Sequence, residues 1–326
     1  MMSLKRIINA AKPPQSHMEP ADMERLGIGN ICRTAKIYNT IRKGSLLRER
    51  RRQYRRHFDE LIQGNGALQT KPVVMQDGGA LDTSGKLPHL DALLAEAEQY
   101  IAERGMQRIG APGRAFIRDI LVQEDLPRFP SFLNFILSSE VLTTVSNYLG
   151  FIPRLSTTIP PGVRFVESSI NGQEQPGVYQ HSQIHHLDLH DNPLVYVIVL
   201  LRDVTPQSGP FTFLSETTSA RACKALRYFS RNSKYRVTDE QMYSLVDRSE
   251  EKVMTYPRGT VLFLDSSRCF HFGSRDATVT RYQMMYALLS PCRTDFSEYY
   301  MQPRVFPVRE NDSKLRKMVL QTAYSG

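Results

Sequence analysis

The chain runs to 326 residues, of which 41% are hydrophobic and 23% charged. That balance suits one large globular domain with a real core, alone or with an appendage. No apolar run approaches the roughly eighteen residues of a membrane span, and Cys32, Cys223, Cys269 and Cys292 lack CxxC spacing and any small disulfide framework. A membrane-spanning protein and a disulfide-stapled module are thereby excluded, and reduced thiols are expected.

In chain order, residues 1–12 start basic, but their apolar stretch is too short for a secretory signal, so a cytoplasmic protein is expected. Between Ile41 and His57 stand Arg42, Lys43, Arg48, Arg50, Arg51, Arg52, Arg55 and Arg56 against the single acid Glu49, a net +7 of the chain's formal +9. Charge this local reads as a solvated helix face or a docking arm. It is open to an acidic partner, nucleic acid or an anionic membrane surface. Tyr54 is its one aromatic, so it lacks the repeated stacking residues of a single-strand platform. Gln63-Gly64-Asn65-Gly66 and Asp77-Gly78-Gly79 follow. Residues 1–85 therefore read as a basic, partly irregular N-terminal extension, and residues 86–326 as the main domain.

Leu90, Leu93, Leu94, Ala97, Tyr100 and Ile101 recur at helical spacing and predict a helix over about 87–106. A second helix is expected over 131–148, closed by Gly150 as a left-handed cap, with Pro153 preventing continuation. Beyond residue 154 the pattern turns to strands, first at 164–167. Residues 194–201 form a continuous apolar run, as in a strand covered on both faces. Further strands are expected at 260–265, 269–272 and 277–289, with a helical insert between 216 and 235. Many turn-separated strands preceded by helices predict a mainly β fold: a jelly-roll double-stranded β-helix, cupin-like, with flanking α-helices.

The chemistry concentrates in two short segments. His186 and Asp188 are two apart, so on extended backbone an imidazole and a carboxylate share one face, with His185 on the other. His190 shares their face but precedes the turn Asp191-Asn192-Pro193. His271, arriving from a distant strand, completes a two-histidine, one-carboxylate set that leaves half of an octahedral metal open, as Fe(II) oxygen chemistry requires. Arg281 lies one strand further on, where its guanidinium suits the far carboxylate of an oxo acid. Cys269, two residues before His271, reads as a packed thiol.

His186-Leu187-Asp188, the buried strand, Ser208-Gly209-Pro210, His271-Phe272-Gly273 and Arg281 resemble, in order and spacing, the phytanoyl-CoA dioxygenase-like family of Fe(II)/2-oxoglutarate oxygenases, over roughly residues 130–290. The resemblance implies metal ligation by His186, Asp188 and His271 and binding of 2-oxoglutarate by Arg281. It also implies a hydroxylase that converts 2-oxoglutarate and O2 to succinate and CO2 while oxidising a small-molecule substrate. Two segments depart from the family: Leu214-Ser215-Glu216-Thr217 replaces a Pro-Gly-Ser-His-type turn, and Ile184-His185-His186 precedes the aspartate. Tyr179, Gln183, Tyr196 and Thr212 are candidate contacts to the oxo acid or metal shell. Arg221, Lys224 and Arg227 of the insert, with Arg231, Lys234 and Arg236, are candidates for attracting an anionic substrate. The competing readings are a non-catalytic jelly-roll binding protein working through its arginine-rich arm, and a cupin-like metalloenzyme without oxo-acid dependence.

Overall fold

The computed structural model describes residues 24–104, 116–168 and 177–321, so the basic opening segment 1–12 lies outside the described residues. The first long element is α1, Ile28–Asn65, a 38-residue helix. It is more regular than the extension expected of residues 1–85, and the reason is a buried face that alternates apolar with polar side chains. Ile28, Ile31, Ala35, Leu47, Leu61 and Ile62 are buried on it, but so are Asn39, Arg50 and Gln53. Arg50 donates to the carbonyls of Ile152 (3.2 Å), Pro153 (2.9 Å), Met318 (2.6 Å) and Gln321 (2.8 Å). An arginine counted as surface charge is thus a clamp, and burial lowers its pKa to about 9.

Helix α2 spans Leu90–Arg104, as the periodicity predicts, its expected end at Met106 lying outside the described residues. The helix expected over 131–148 is two: α3, Ser131–Ile136, and α4, Ser139–Leu149. Ser138 breaks it by adopting extended backbone (φ −64°, ψ 151°) at the N-cap position of α4, without a capping bond from its side chain. Gly150 closes α4 in the left-handed region at φ 70°, its N–H donating to Ser146.

Two antiparallel sheets follow. The large one contains β1 (Gly79–Asp82), β2 (Ile117–Asp119), β3 (Arg154–Leu155), β4 (Val163–Ser168), β5 (Val195–Leu200), β8 (Val261–Asp265) and β10 (Arg281–Leu289), in the order β1-β8-β5-β10-β4-β2 with β3 also on β10. The small one contains β6 (Thr212–Phe213), β7 (Lys252–Val253) and β9 (His271–Phe272), in the order β7-β6-β9. This is the expected double-sheet jelly roll with helices on its flank. Between the small-sheet strands lie α5 (Glu216–Ala225) and α6 (Asp239–Tyr243), and α7 (Ser297–Tyr300) and α8 (Lys314–Leu320) close the chain. The insert expected to be helical to residue 235 is helical only to Ala225. Among the described residues no helix is long and apolar enough to cross a membrane.

The large sheet is buried on both faces, and the alternation of its strands sorts two cores. Val195, Val197 and Val199 of β5, with Met284, Tyr286 and Leu288 of β10, pack outward against α2, α3 and α4. Tyr196, Ile198 and Leu200, with Met285, Ala287 and Leu289, point inward, toward Phe213 of the small sheet and Phe211 and Cys269 just ahead of its strands. Phase decides which polar side chains enter the barrel. Arg281 and Gln283 share the inward phase of Met285, and Arg164 and Ser168 share that of Val166.

Candidate metal centre

His186 sits on extended backbone between the sheets. Its N–H and carbonyl pair with those of His271 (3.2 and 3.1 Å), which ties the two segments together at the ligand positions themselves. The Asp188 N–H donates to Ser266 at 2.9 Å. One ligand atom from each of His186, Asp188 and His271 lies within 4.8 Å of the others. The imidazole rings stand 4.4 Å apart at 52°, and His271 Nε2 is 3.3 Å from Asp188 Oδ2.

Both imidazoles are held in one tautomer by the chain itself. His186 Nδ1 is 2.8 Å from the Ile184 carbonyl and His271 Nδ1 is 2.9 Å from the Cys269 carbonyl. A carbonyl only accepts, so each Nδ1 carries a proton and each Nε2 is the ring atom left to face a metal. Burial, then His271 and the Arg236 guanidinium, push the His186 pKa well below its ordinary value and keep the ring neutral. Burial alone would raise the Asp188 carboxyl, but the two imidazoles beside it hold it below the usual carboxylate range. Two imidazole Nε2 atoms and a carboxylate converging on one point are the donors that a divalent metal takes. The set fits a metal ion by its chemistry as well as its spacing.

Arg281 enters the barrel from the first residue of β10. It is 3% exposed, and among the described residues its one hydrogen bond runs from Nη2 to Ser274 Oγ at 3.0 Å. Its Nε and Nη1 have no partner among the described residues, and burial lowers its pKa to about 10. Ser168 stands directly opposite it in the β4–β10 register, and Ser168 Oγ and Gln283 Oε1 are likewise buried without partners. A Cβ at Gly273 would lie 3.5 Å from Arg281 Nη2 and 3.5 Å from Phe211, and the Phe211 ring stacks on His271 at 5.4 Å. The arginine therefore borders the wall that carries the third ligand.

The other candidates divide. Tyr196 points inward beside Asp188, and burial, then that carboxylate, raises its pKa well above normal. Gln183 is buried at the edge, spending its amide on Ser274 O (2.6 Å) and the Gln180 N–H (3.1 Å). Tyr179 donates to Asp276 at 2.5 Å and lies under Arg275, so its hydroxyl is committed outside the cluster. Thr212 is out of phase with Phe211 and Phe213 and pairs with Phe272, so the pleat turns it away from His271. The insert cations are also displaced from the expectation. Arg221, Lys224 and Arg227 are exposed, and Arg221 is paired with Glu250 at 2.5 Å. Tyr235 and Arg236 come near instead: Tyr235 reaches the Leu187 carbonyl (3.1 Å) with its ring 6.3 Å from His186, and Arg236 Nη1 is buried without a partner. His190 is taken by Asp295 at 2.8 Å. His185 turns outward toward Asp239 and Glu251, as its register predicts, and the Cys269 thiol is a packed core group.

Sequence reasoning passed over Arg164, although a charge in phase with Val166 was visible. It pairs with Asp119 at 3.2 Å and lies near enough to Tyr196 and Asp188 for their charges to act on it. Reasoning also passed over α1, whose first turns reach the site. A cavity of about 280 Å3 includes Asp188 in its lining, with Cys32, Arg33, Lys36 and Ile37 of α1, and Phe229. Nothing in the amphipathic pattern of α1 shows where the helix docks.

No protein-family model and no curated protein sequence matches the chain. Solved structures do. EctD from S. alaskensis in its apo form is 15% identical over 76% of this chain and 88% of that one, with a TM-score of 0.49. SnoK, a non-heme alpha ketoglutarate dependent carbocyclase from nogalamycin biosynthesis, is 14% identical over 65% and 79%, with a TM-score of 0.42. HygX from Streptomyces hygroscopicus, with nickel, 2-oxoglutarate and hygromycin B bound, is 16% identical over 65% and 82%, with a TM-score of 0.39.

Proposed function

We propose that the protein is an Fe(II)- and 2-oxoglutarate-dependent oxygenase that hydroxylates a small molecule. One observation carries the reading: a His186–Asp188–His271 cluster with its donor atoms converging on one point shares its barrel with a buried guanidinium that lacks an anion among the described residues. A metal site without oxo-acid chemistry has no use for the second feature.

His186 Nε2, His271 Nε2 and one Asp188 oxygen would hold the iron. Their Nδ1 protons are fixed on the Ile184 and Cys269 carbonyls, so neither ring needs to turn on binding. Bound there with 2-oxoglutarate and O2, iron supplies the oxidation, with CO2 and succinate as the products of the oxo acid. Arg281 Nη1 is an open donor beside Nη2, and the two end nitrogens form a fork that takes a carboxylate bidentately, with Nε and the Ser168 hydroxyl opposite as further donors. Phe211 and the apolar inward face of β5 and β10 keep water from these groups, which strengthens each charged contact. Arg164 and Tyr196 orient around Asp188 from the far wall. The substrate enters by the cavity at Asp188, where Ile37 and Phe229 offer apolar surface, so it is small and partly apolar.

Anaerobic Fe(II) and 2-oxoglutarate should together give a visible charge-transfer band, and admitting O2 should release succinate even without substrate. Arg281→Met should keep iron binding but raise the 2-oxoglutarate requirement by about a hundredfold, the scale of a lost charge-assisted bidentate contact. Iron binding with neither band nor succinate would sink the oxo-acid reading. Full succinate release by Arg281→Met would remove the arginine from it.

A further inference from the structure

The half of α1 that the metal centre leaves unused carries the densest charge in the chain. Arg48, Arg51, Arg52, Arg55 and Arg56 are exposed and alone wall a cavity of about 450 Å3. At the helical rise their Cα atoms span about 12 Å. Glu49, bound to Arg52 at 2.6 Å, is the one acid among them. Arg48, Arg51, Arg55 and Arg56 have no ion-pair partner among the described residues. The helix beneath is fixed by the Arg50 clamp and by Tyr54, whose hydroxyl donates to Asn147 at 3.0 Å. The guanidinium groups are therefore crowded on a rigid support, where their mutual repulsion is relieved only by an anion.

The lining also says what kind of anion. No exposed large hydrophobic lies between residues 38 and 67, so an occupant finds no apolar wall, no bilayer anchor and no platform for stacking bases. All five cations are arginines, whose planar forks match phosphate oxygens better than a lysine's point charge. The patch stops abruptly at Asp59 and Glu60, both exposed, against which an extended polyanion would be repelled. Its volume lies in the range of small-ligand sites. We infer that this cavity binds a compact polyphosphate, an anion with several phosphates within about 12 Å, at a site separate from the metal centre. The α1 residues that line the Asp188 cavity end at Ile37, and from there to Arg48 the helix runs about 16 Å.

Isothermal titration of the full-length protein with sodium tripolyphosphate and with monophosphate, at matched ionic strength, tests this. Tripolyphosphate is expected to bind one to one, tighter than monophosphate, and to weaken as salt rises. Arg51→Gln/Arg55→Gln should lose about tenfold or more, the scale of lost charge-assisted hydrogen bonds, with melting temperature and circular dichroism unchanged. Arg56→Gln should give a smaller loss in the same direction, and Arg221→Gln none. Equal affinity for the two phosphates, or an unchanged double variant, overturns the site. So does tighter binding, per phosphate, of a short DNA duplex or a phosphatidylserine vesicle, since the face would then belong to a macromolecule.

Discussion

Arg281 opens β10 and Arg293 lies just beyond its end; both are buried, at 3% and 1% exposure, and the fold supplies them very differently. Arg293 holds Asp295 with two bonds of 2.7 Å, from Nε and Nη2, donates to Ser156 Oγ at 3.0 Å and reaches the Ile159 carbonyl. Arg154 beside it is bound to Glu298, which also accepts from Lys43. Burial alone would lower the Arg293 pKa, but Asp295 and Glu298 raise it. Among the described residues Arg281 has one serine hydroxyl and two unpartnered nitrogens, and burial lowers its pKa. The chain can satisfy a buried guanidinium when the role is structural. One left without such partners is what the proposed oxo-acid contact requires.

The largest expected effect sets these two arginines against each other. Asp295→Ala strands Arg293 and takes an acceptor from His190 and Ser297, so it should cost about 3–5 kcal/mol, the scale of a broken buried ion pair. Arg281→Met removes a cation that the apo protein does not pair, and should change stability by no more than about 1 kcal/mol in either direction. Urea unfolding of both variants without 2-oxoglutarate decides. If Arg281→Met is as damaging as Asp295→Ala, Arg281 is a structural residue and its empty edge has no meaning.

Acid gives the next largest effect, and only one side of the comparison responds. Burial would raise the Glu298 carboxyl, but Arg154, Lys43 and Arg293 hold it down to about 2, from an ordinary 4.5. A carboxyl depressed in the folded state adds stability that is complete above its unfolded pKa and is lost as the proton is forced on. The contribution, on the order of 3 kcal/mol, should therefore disappear as pH falls from about 4.5 to 2. Asp295 is depressed in the same way, which extends the loss to lower pH. Glu298→Gln should flatten the upper part of that decline in a pH series of denaturation midpoints. An unchanged slope would mean that the Arg154–Lys43–Glu298 cluster is solvated rather than coupled.

How much of this was readable beforehand depended on whether the signal was local. The strands at 164–167, 194–201 and 260–265 are apolar in a period that sterics alone dictate, and they lie within a residue or two of β4, β5 and β8. His186 and Asp188 share a face by the two-residue repeat of extended backbone, although His186 sits in an isolated bridge rather than a named strand. Convergence with His271 needed only the strand order of the resemblance. What stayed hidden was pairing across long separations. Nothing near Arg50 says that its partners are the carbonyls of Ile152 and Met318, and nothing near Cys32 or Arg33 says that α1 begins at the mouth of the Asp188 cavity. The arginine run looked uniform because charge carries no periodic label. Helix geometry then put Arg50 inside and its neighbours Arg51 and Arg52 outside.

Thr212 and Tyr196 make the smallest and sharpest test, because sequence reasoning gave both the same role and the pleat separates them. Thr212 turns away from His271, and its hydroxyl makes one long contact to the Pro210 carbonyl at 3.5 Å. Thr212→Val should cost about 1 kcal/mol or less and leave the 2-oxoglutarate KM unchanged. Tyr196→Phe removes a hydroxyl placed beside Arg164 and Asp188. Its stability cost should be similar, but it frees Arg164 to compete for the carboxylate that the iron needs. The expected signature is a weaker apparent Fe(II) affinity, by about three- to tenfold, as a hydrogen bond of roughly 1 kcal/mol implies. Equal effects on Fe(II) affinity from the two variants would mean that strand phase does not decide which side chains serve this barrel.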